Sequence, residues 1–116
     1  MNTRPNPLKL NPLQCRTLAI LQQLARTPGA SAPPPAEDGA VALRGMPHAH
    51  GDHFHVGDAV VSAKDASGLR NPAVFGALVR KGLIRAADGG APLVTAEGLA
   101  YDTGVADEVL HRGGDH

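Results

Sequence analysis

Two of the three Asn-Pro dipeptides, Asn11-Pro12 and Asn71-Pro72, constrain the fold of this chain more than any other feature. Asparagine is a preferred helix N-cap, and proline at the first helical position has its φ angle preset and no amide hydrogen to leave unpaired. Apolar residues follow each dipeptide at helical spacing. The sequence therefore predicts a helix that ends near Arg26, before Pro28-Gly29, and a second helix that ends at Gly82.

The segment between these helices is predicted mainly from its turn residues. Residues 27–39 are rich in Ala, Pro, Ser and Gly and predict an extended flexible linker, and residues 40–44 predict a short strand. Asp58 is predicted to cap a short helix over residues 59–66, with Gly68 as its left-handed terminator. This helix and the Asn71 helix together would form a helix-turn-helix.

After the second helix, the sequence predicts a β-hairpin and a last short helix. Leu83-Ile84 would form one strand, residues 88–90 the turn, and residues 92–94 the return strand. Pro92 is expected to restrict that strand to a sheet edge because proline cannot donate a ladder hydrogen bond. Thr95 would cap a helix that runs to Tyr101.

The chain is predicted to be one small, mainly α domain with a β-hairpin. Its segments would be an N-terminal arm and first helix (1–26), a linker with a histidine-rich stretch (27–52), a helix-turn-helix with a wing (53–103) and an acidic flexible tail (104–116). Two Phe, one Tyr and no Trp predict a thin core. The lone Cys15 cannot form an internal disulfide, and no apolar run approaches the length of a membrane helix, so a cytoplasmic protein is expected.

The run from Ala77 to Arg85, ALVRKGLIR, followed after a glycine turn by LVTAEGLA from Leu93 to Ala100, resembles the winged helix-turn-helix regulators of bacteria. The resemblance covers about residues 56–103 and points to no specific family within that group. It implies a DNA-binding transcriptional regulator, a homodimer, with the Asn71–Lys81 helix in the major groove. It implies no enzyme, and no partnered nucleophile stands out in the sequence.

Charge distribution agrees with this interpretation, although the net charge is zero. Residues 64–85 hold five basic residues and one acidic residue, whereas residues 86–116 hold one basic and six acidic residues. The predicted DNA contacts are Arg70, Asn71, Arg80, Lys81 and Arg85. An alternative remains open, because the helix face of Ala73, Gly76 and Ala77 also suits a protein–protein interaction module.

Four of the six histidines, His48, His50, His53 and His55, fall within eight residues. In an extended chain, residues i and i+2 project from one face, which would allow two imidazoles to share a metal ion. Zinc, nickel or copper would suit such ligands better than calcium or magnesium. If the histidines bind a metal, the domain would be metal-responsive. The alternative is that this stretch is a polar surface loop that binds no metal.

Overall fold

The structure is a computed structural model that describes residues 9–26, 31–32, 39–43, 49–50, 53–56, 59–86 and 92–112. For residues 31–32, 49–50, 106–107 and 111–112 it describes the backbone only. The elements in chain order are α1 (Pro12–Arg26), β1 (Ser31–Ala32), β2 (Val41–Leu43), β3 (Ala49–His50), β4 (His53–Val56), β5 (Ala59–Ser62), the 3₁₀ helix η1 (Ser67–Arg70), α2 (Pro72–Arg80), β6 (Ile84–Arg85), β7 (Leu93–Val94), α3 (Ala96–Ala100), α4 (Ala106–Val109) and β8 (His111–Arg112).

The strands form two antiparallel sheets, so the described chain is a small mixed α/β domain. One sheet has the strand order β1-β2-β7-β6, and the other has the order β3-β4-β5-β8. The predicted hairpin is present as β6 and β7, in which Ile84 pairs with Val94 and Arg85 with Leu93. The expectation of a mainly α chain with one hairpin is wrong in its β content, because a second sheet forms from residues outside that hairpin.

Helix α1 runs through the centre of the domain. Both sheets and every other helix contact it. Leu18, Ile20 and Leu21 are fully buried, although they point in different directions around the helix. Gln22 is also buried, and its Nε2 donates to the backbone oxygens of Gly98 at 2.7 Å and Tyr101 at 2.8 Å. These bonds satisfy an amide that would otherwise destabilise the core.

Both predicted Asn-Pro helices begin where the sequence places them. Asn11 Oδ1 accepts from the Gln14 amide at 2.8 Å, while Gln14 Oε1 accepts from the Asn11 amide at 3.0 Å, a reciprocal cap. Asn71 Oδ1 accepts from the Ala73 amide at 3.0 Å. Local side-chain chemistry therefore sets the first turn of each helix.

Gly82 ends α2 as predicted. It has a φ of +76°, its amide donates to Val79 O at 3.0 Å, and the next amide, of Leu83, donates to Leu78 O at 3.0 Å. This is the Schellman arrangement, which satisfies the last carbonyls of a helix and favours glycine at the left-handed position. The chain thus turns directly from α2 into β6.

The predicted helix over residues 59–66 is wrong. Residues Ala59–Ser62 form β5, which pairs with β4 in the register His53–Ser62 to Val56–Ala59. Gly68 lies within η1, and its φ is not positive, so it is not a left-handed terminator. Asp58, the predicted cap, lies outside the described residues. Adjacent valines at 60 and 61 favour the strand, because β-branched side chains suit a pleated surface.

Two further expectations differ from the structure. Strand β7 is central rather than at an edge, because it pairs with both β2 and β6. Pro92 lies just before β7, so its missing amide hydrogen removes no hydrogen bond from the strand ladder. Its carbonyl accepts from the Leu43 amide at 3.2 Å. Ser31–Ala32, within the predicted linker, forms β1 against β2.

The predicted flexible tail is packed against the domain as far as residue 112. Helix α4 contacts α1, Val109 is 1% exposed and Leu110 is 7% exposed, and β8 pairs with β5. The apolar pair Val109-Leu110 therefore belongs to the core, despite the acidic residues that precede it.

Candidate nucleic-acid interface

Helix α2 is anchored on α1 through one side only. Val74, Ala77 and Leu78 form its buried face, and Leu78 is completely inaccessible. Phe75 is half-buried. Leu69, Arg70, Asn71, Pro72 and Phe75 line a shallow depression of about 200 Å³ at the N-terminal end of the helix.

The outward face of α2 consists of Pro72, Ala73, Gly76, Val79 and Arg80. At 100° per residue these five positions fall within a third of the helix circumference. Ala77, expected on this face, is buried at 5% exposure, whereas Val79 is 40% exposed. The angular spacing groups Val79 with Pro72 and Gly76, so the helical period alone indicates an outward position for Val79.

Asn71 has limited capacity to recognise a base. Its Oδ1 already accepts the Ala73 amide as the N-cap of α2. A bidentate contact with adenine needs both the oxygen and the nitrogen of the amide. Asn71 can therefore offer its NH₂ group to a ligand while the cap is intact, which permits one hydrogen bond and not the bidentate pair.

The predicted cationic residues lie at the two ends of α2 and on the strand that follows. Arg70 is exposed at the end of η1, Arg80 is exposed in the last turn, and Lys81 is the C-cap residue. Arg85 is exposed on β6, which contacts α2. Arg80 and Lys81 thus lie at the C-terminal end of α2 and Arg85 on the strand that follows, whereas Arg70 precedes the N-terminus of the helix.

Arg70 and Arg80 have no hydrogen-bond or ion-pair partner within the described ranges. The nearest acidic residue in the sequence before them, Asp65, lies 3.7 Å from the Arg16 guanidinium. No acidic residue occurs between Asp65 and Asp88. Both guanidinium groups are therefore available for an anionic ligand.

The tip of the predicted wing, residues 88–90, lies outside the described residues. The strands that lead to it are tied to the helices by Thr95, whose hydroxyl donates to Gly82 O at 2.7 Å and accepts from the Gly98 amide at 2.9 Å. Thr95 therefore caps α3, as predicted, and also fixes the loop that ends α2. This contact holds the position of Arg85 relative to α2.

The predicted histidine cluster is described in part. His53 and His55 lie in β4 and flank the buried Phe54, so they share the outward face of that strand, as expected for an extended chain. Their ring centroids are 5.0 Å apart, with an angle of 79° between the ring planes. His50 is in β3, and His48 lies outside the described residues. Among the described side chains, no three His, Cys, Asp or Glu form a group that could hold a metal ion.

Cys15 is buried in α1, and burial raises the pKa of its thiol above the ordinary value, although the neighbouring Arg16 charge opposes this. A buried thiol with a raised pKa is a poor nucleophile at neutral pH. It packs as a small apolar side chain in the core.

None of the helices in the described part of the chain is both long enough and apolar enough to cross a lipid bilayer. No protein-family model, curated protein or solved structure matches the chain.

Proposed function

We propose that this protein is a winged-helix protein that binds duplex DNA, through the outward face of α2 and the cations that flank it, and acts in transcriptional regulation rather than as an enzyme. One observation carries the proposal: Arg70, Arg80 and Arg85 are exposed on and beside a helix with small outward residues, in a stretch of 22 residues without an acidic side chain. Clustered cations on one element are the electrostatic signature of a phosphate-binding surface.

The order of elements supports a helix-turn-helix followed by a wing. The 3₁₀ helix η1 leads through Asn71 into α2, and α2 leads through Gly82 into the β6–β7 hairpin. The first helix of the motif would be reduced to the four residues of η1, because residues 59–62 are used as a strand. The packing of both η1 and α2 on α1 supports a fixed presentation of α2.

The dimensions of α2 suit the major groove. The groove of B-DNA is about 12 Å wide and admits an α-helix, and the exposed Arg70 and Arg80 flank α2 at its two ends, where each would meet a phosphate. Pro72, Ala73 and Gly76 between them would allow close approach to the bases. Because Asn71 is committed to the cap, phosphate contacts are expected to supply most of the affinity, and sequence discrimination is expected to be modest.

The salt dependence of DNA binding tests this proposal. Four phosphate contacts, by Arg70, Arg80, Lys81 and Arg85, would give a log–log slope of about −3.6 for affinity against salt. The double variant Arg80→Ala/Lys81→Ala should flatten the slope to about −1.8. Fluorescence anisotropy with a labelled duplex, titrated at several salt concentrations, measures both slopes.

The double variant Lys9→Ala/Lys64→Ala is the matched control, because it removes the same charge from exposed positions outside α2 and its flanks. It should leave the slope near the wild-type value. Equal slopes in wild type and the Arg80/Lys81 variant, or no binding to duplex at low salt, would contradict the proposal.

A protein–protein interaction module is the second candidate, and the 40% exposure of Val79 beside Gly76 favours it. On that hypothesis the outward face of α2 packs on a second copy of the chain, which would also give the expected homodimer. A chain that binds no duplex, but sediments as a dimer that Val79→Asp dissociates, would replace the DNA proposal with this one.

A further inference from the structure

The outward face of the second sheet carries polar side chains that the proposed DNA surface does not use. Along β4 and β5, Phe54, Val56, Ala59 and Val61 are buried. The residues that alternate with them, His53, His55, Val60 and Ser62, are exposed or half-buried. His55 is therefore exposed, and His53 half-buried, on a sheet whose other face is buried in the core.

The two imidazoles are already spaced as ligands of one ion would be. When two imidazole nitrogens bind one tetrahedral metal at about 2.1 Å, the ring centroids are about 5 Å apart. The observed separation of the His53 and His55 centroids is 5.0 Å. The two rings are therefore close enough for one ion to bind both.

The strand register adds a third histidine position. His50 pairs directly with His53 in the β3–β4 ladder, where paired Cβ positions are about 5 Å apart. Positions 53 and 55 of β4 are thus both histidine, and so is position 50, directly across the ladder from 53. These three positions lie on β3 and β4, outside the DNA-binding surface proposed for α2 and its flanking cations.

We propose that the outward face of the β3–β4 ladder binds one divalent transition-metal ion, with His53 and His55 as ligands and His50 as the third ligand. Imidazole nitrogen favours zinc, nickel or copper over magnesium or calcium, which prefer oxygen. Water would complete the coordination. An ion bound across the ladder joins β3 to β4 and so stabilises the folded sheet by mass action.

Calorimetric titration of the full chain with zinc chloride and with nickel chloride tests the site. We expect the titration to give one ion per chain. A thermal melt of the same protein should give a melting temperature that rises with metal concentration. His53→Ala and His55→Ala should each lower the affinity at least tenfold, and His50→Ala should lower it as well. His116→Ala, which removes a histidine outside the cluster, is the control and should change neither quantity.

Electron paramagnetic resonance of the copper complex gives a readout that does not depend on stability. Three imidazole nitrogens should couple to the copper in the wild type, and two in His50→Ala. His53→Gln and His55→Gln replace the alanine variants if those fail to fold. Unchanged affinity in the His53 and His55 variants, or an equal loss in His116→Ala, would overturn the site; an unchanged spectrum in His50→Ala would remove the third ligand.

Discussion

Two glycines in helices differ in what surrounds them. Gly98 is buried at the start of α3, and a Cβ there would overlap the carbonyl oxygen of Leu83 and lie 3.1 Å from Val94 Cγ1. Gly76 lies on the outward face of α2, where the nearest atom to a Cβ would be Arg80 Nη1 at 3.4 Å. Close backbone packing therefore requires glycine at 98, whereas nothing around α2 requires it at 76.

Alanine at these two positions should have opposite effects on stability. Gly98→Ala forces α3 away from Leu83 and should lower the free energy of unfolding by about 1–3 kcal/mol. Gly76→Ala should raise it by about 1 kcal/mol, because alanine has the higher helix propensity. Urea denaturation of the two variants measures both changes, and a stability loss in Gly76→Ala would show that α2 packs through this face.

At the scale of elements, α2 combines packing in its middle with local chemistry at its two ends. An isolated helix of nine residues is unstable in water, so the buried face of Val74, Ala77 and Leu78 supplies most of what holds it. Its N-terminus is closed by Asn71, and its C-terminus is closed by the Gly82 turn. The caps add to the packing and define where the proposed DNA-contacting element begins and ends.

Substitutions of Asn71 should separate the capping role from the binding role. Asn71→Ala removes the acceptor for the Ala73 amide and should lower the free energy of unfolding by about 1 kcal/mol. Asn71→Asp keeps the acceptor and should preserve stability, but its negative charge beside Arg70 should weaken DNA binding. Thermal melts together with anisotropy titrations distinguish the two effects; equal stability of all three proteins would mean that the cap is unimportant.

At the scale of the whole molecule, α1 is the shared core of two layers. Helix α1 contacts η1, α2 and α3, and it also contacts β4 and α4. A core with few aromatic residues is completed by the long-range contacts of Val109 and Leu110, which are close to the end of the chain. The segment after residue 104 therefore contributes to stability, not only to charge.

Truncation of a core residue in this segment should destabilise the entire domain. Leu110→Ala should lower the free energy of unfolding by about 2–5 kcal/mol, the range for a buried leucine. Glu108→Ala, at an exposed position two residues earlier, should change it by less than about 0.5 kcal/mol. Comparable small effects in both variants would show that the last segment does not pack on α1.

The sequence by itself determined the features whose partners lie within a few residues. Asn11-Pro12, Asn71-Pro72, Gly82 and Thr95 specify helix ends through side-chain caps and a left-handed turn, so both long helices and the β6–β7 hairpin could be predicted. The basic residues predicted to contact DNA could also be identified from the sequence, because they cluster between residues 64 and 85. One local signal was missed. Only two residues, Gly57 and Asp58, separate the segments that form β4 and β5, and this spacing is typical of a β-hairpin.

Only the tertiary structure decided the features whose partners are distant in the chain. Residues 59–62 are a strand because β4 and β8 pair with them on either side. Gln22 is buried because its amide meets carbonyls of Gly98 and Tyr101, more than seventy positions later. Ladder hydrogen bonds and burial depend on which surfaces meet, and the local pattern of polar and apolar residues does not contain that information.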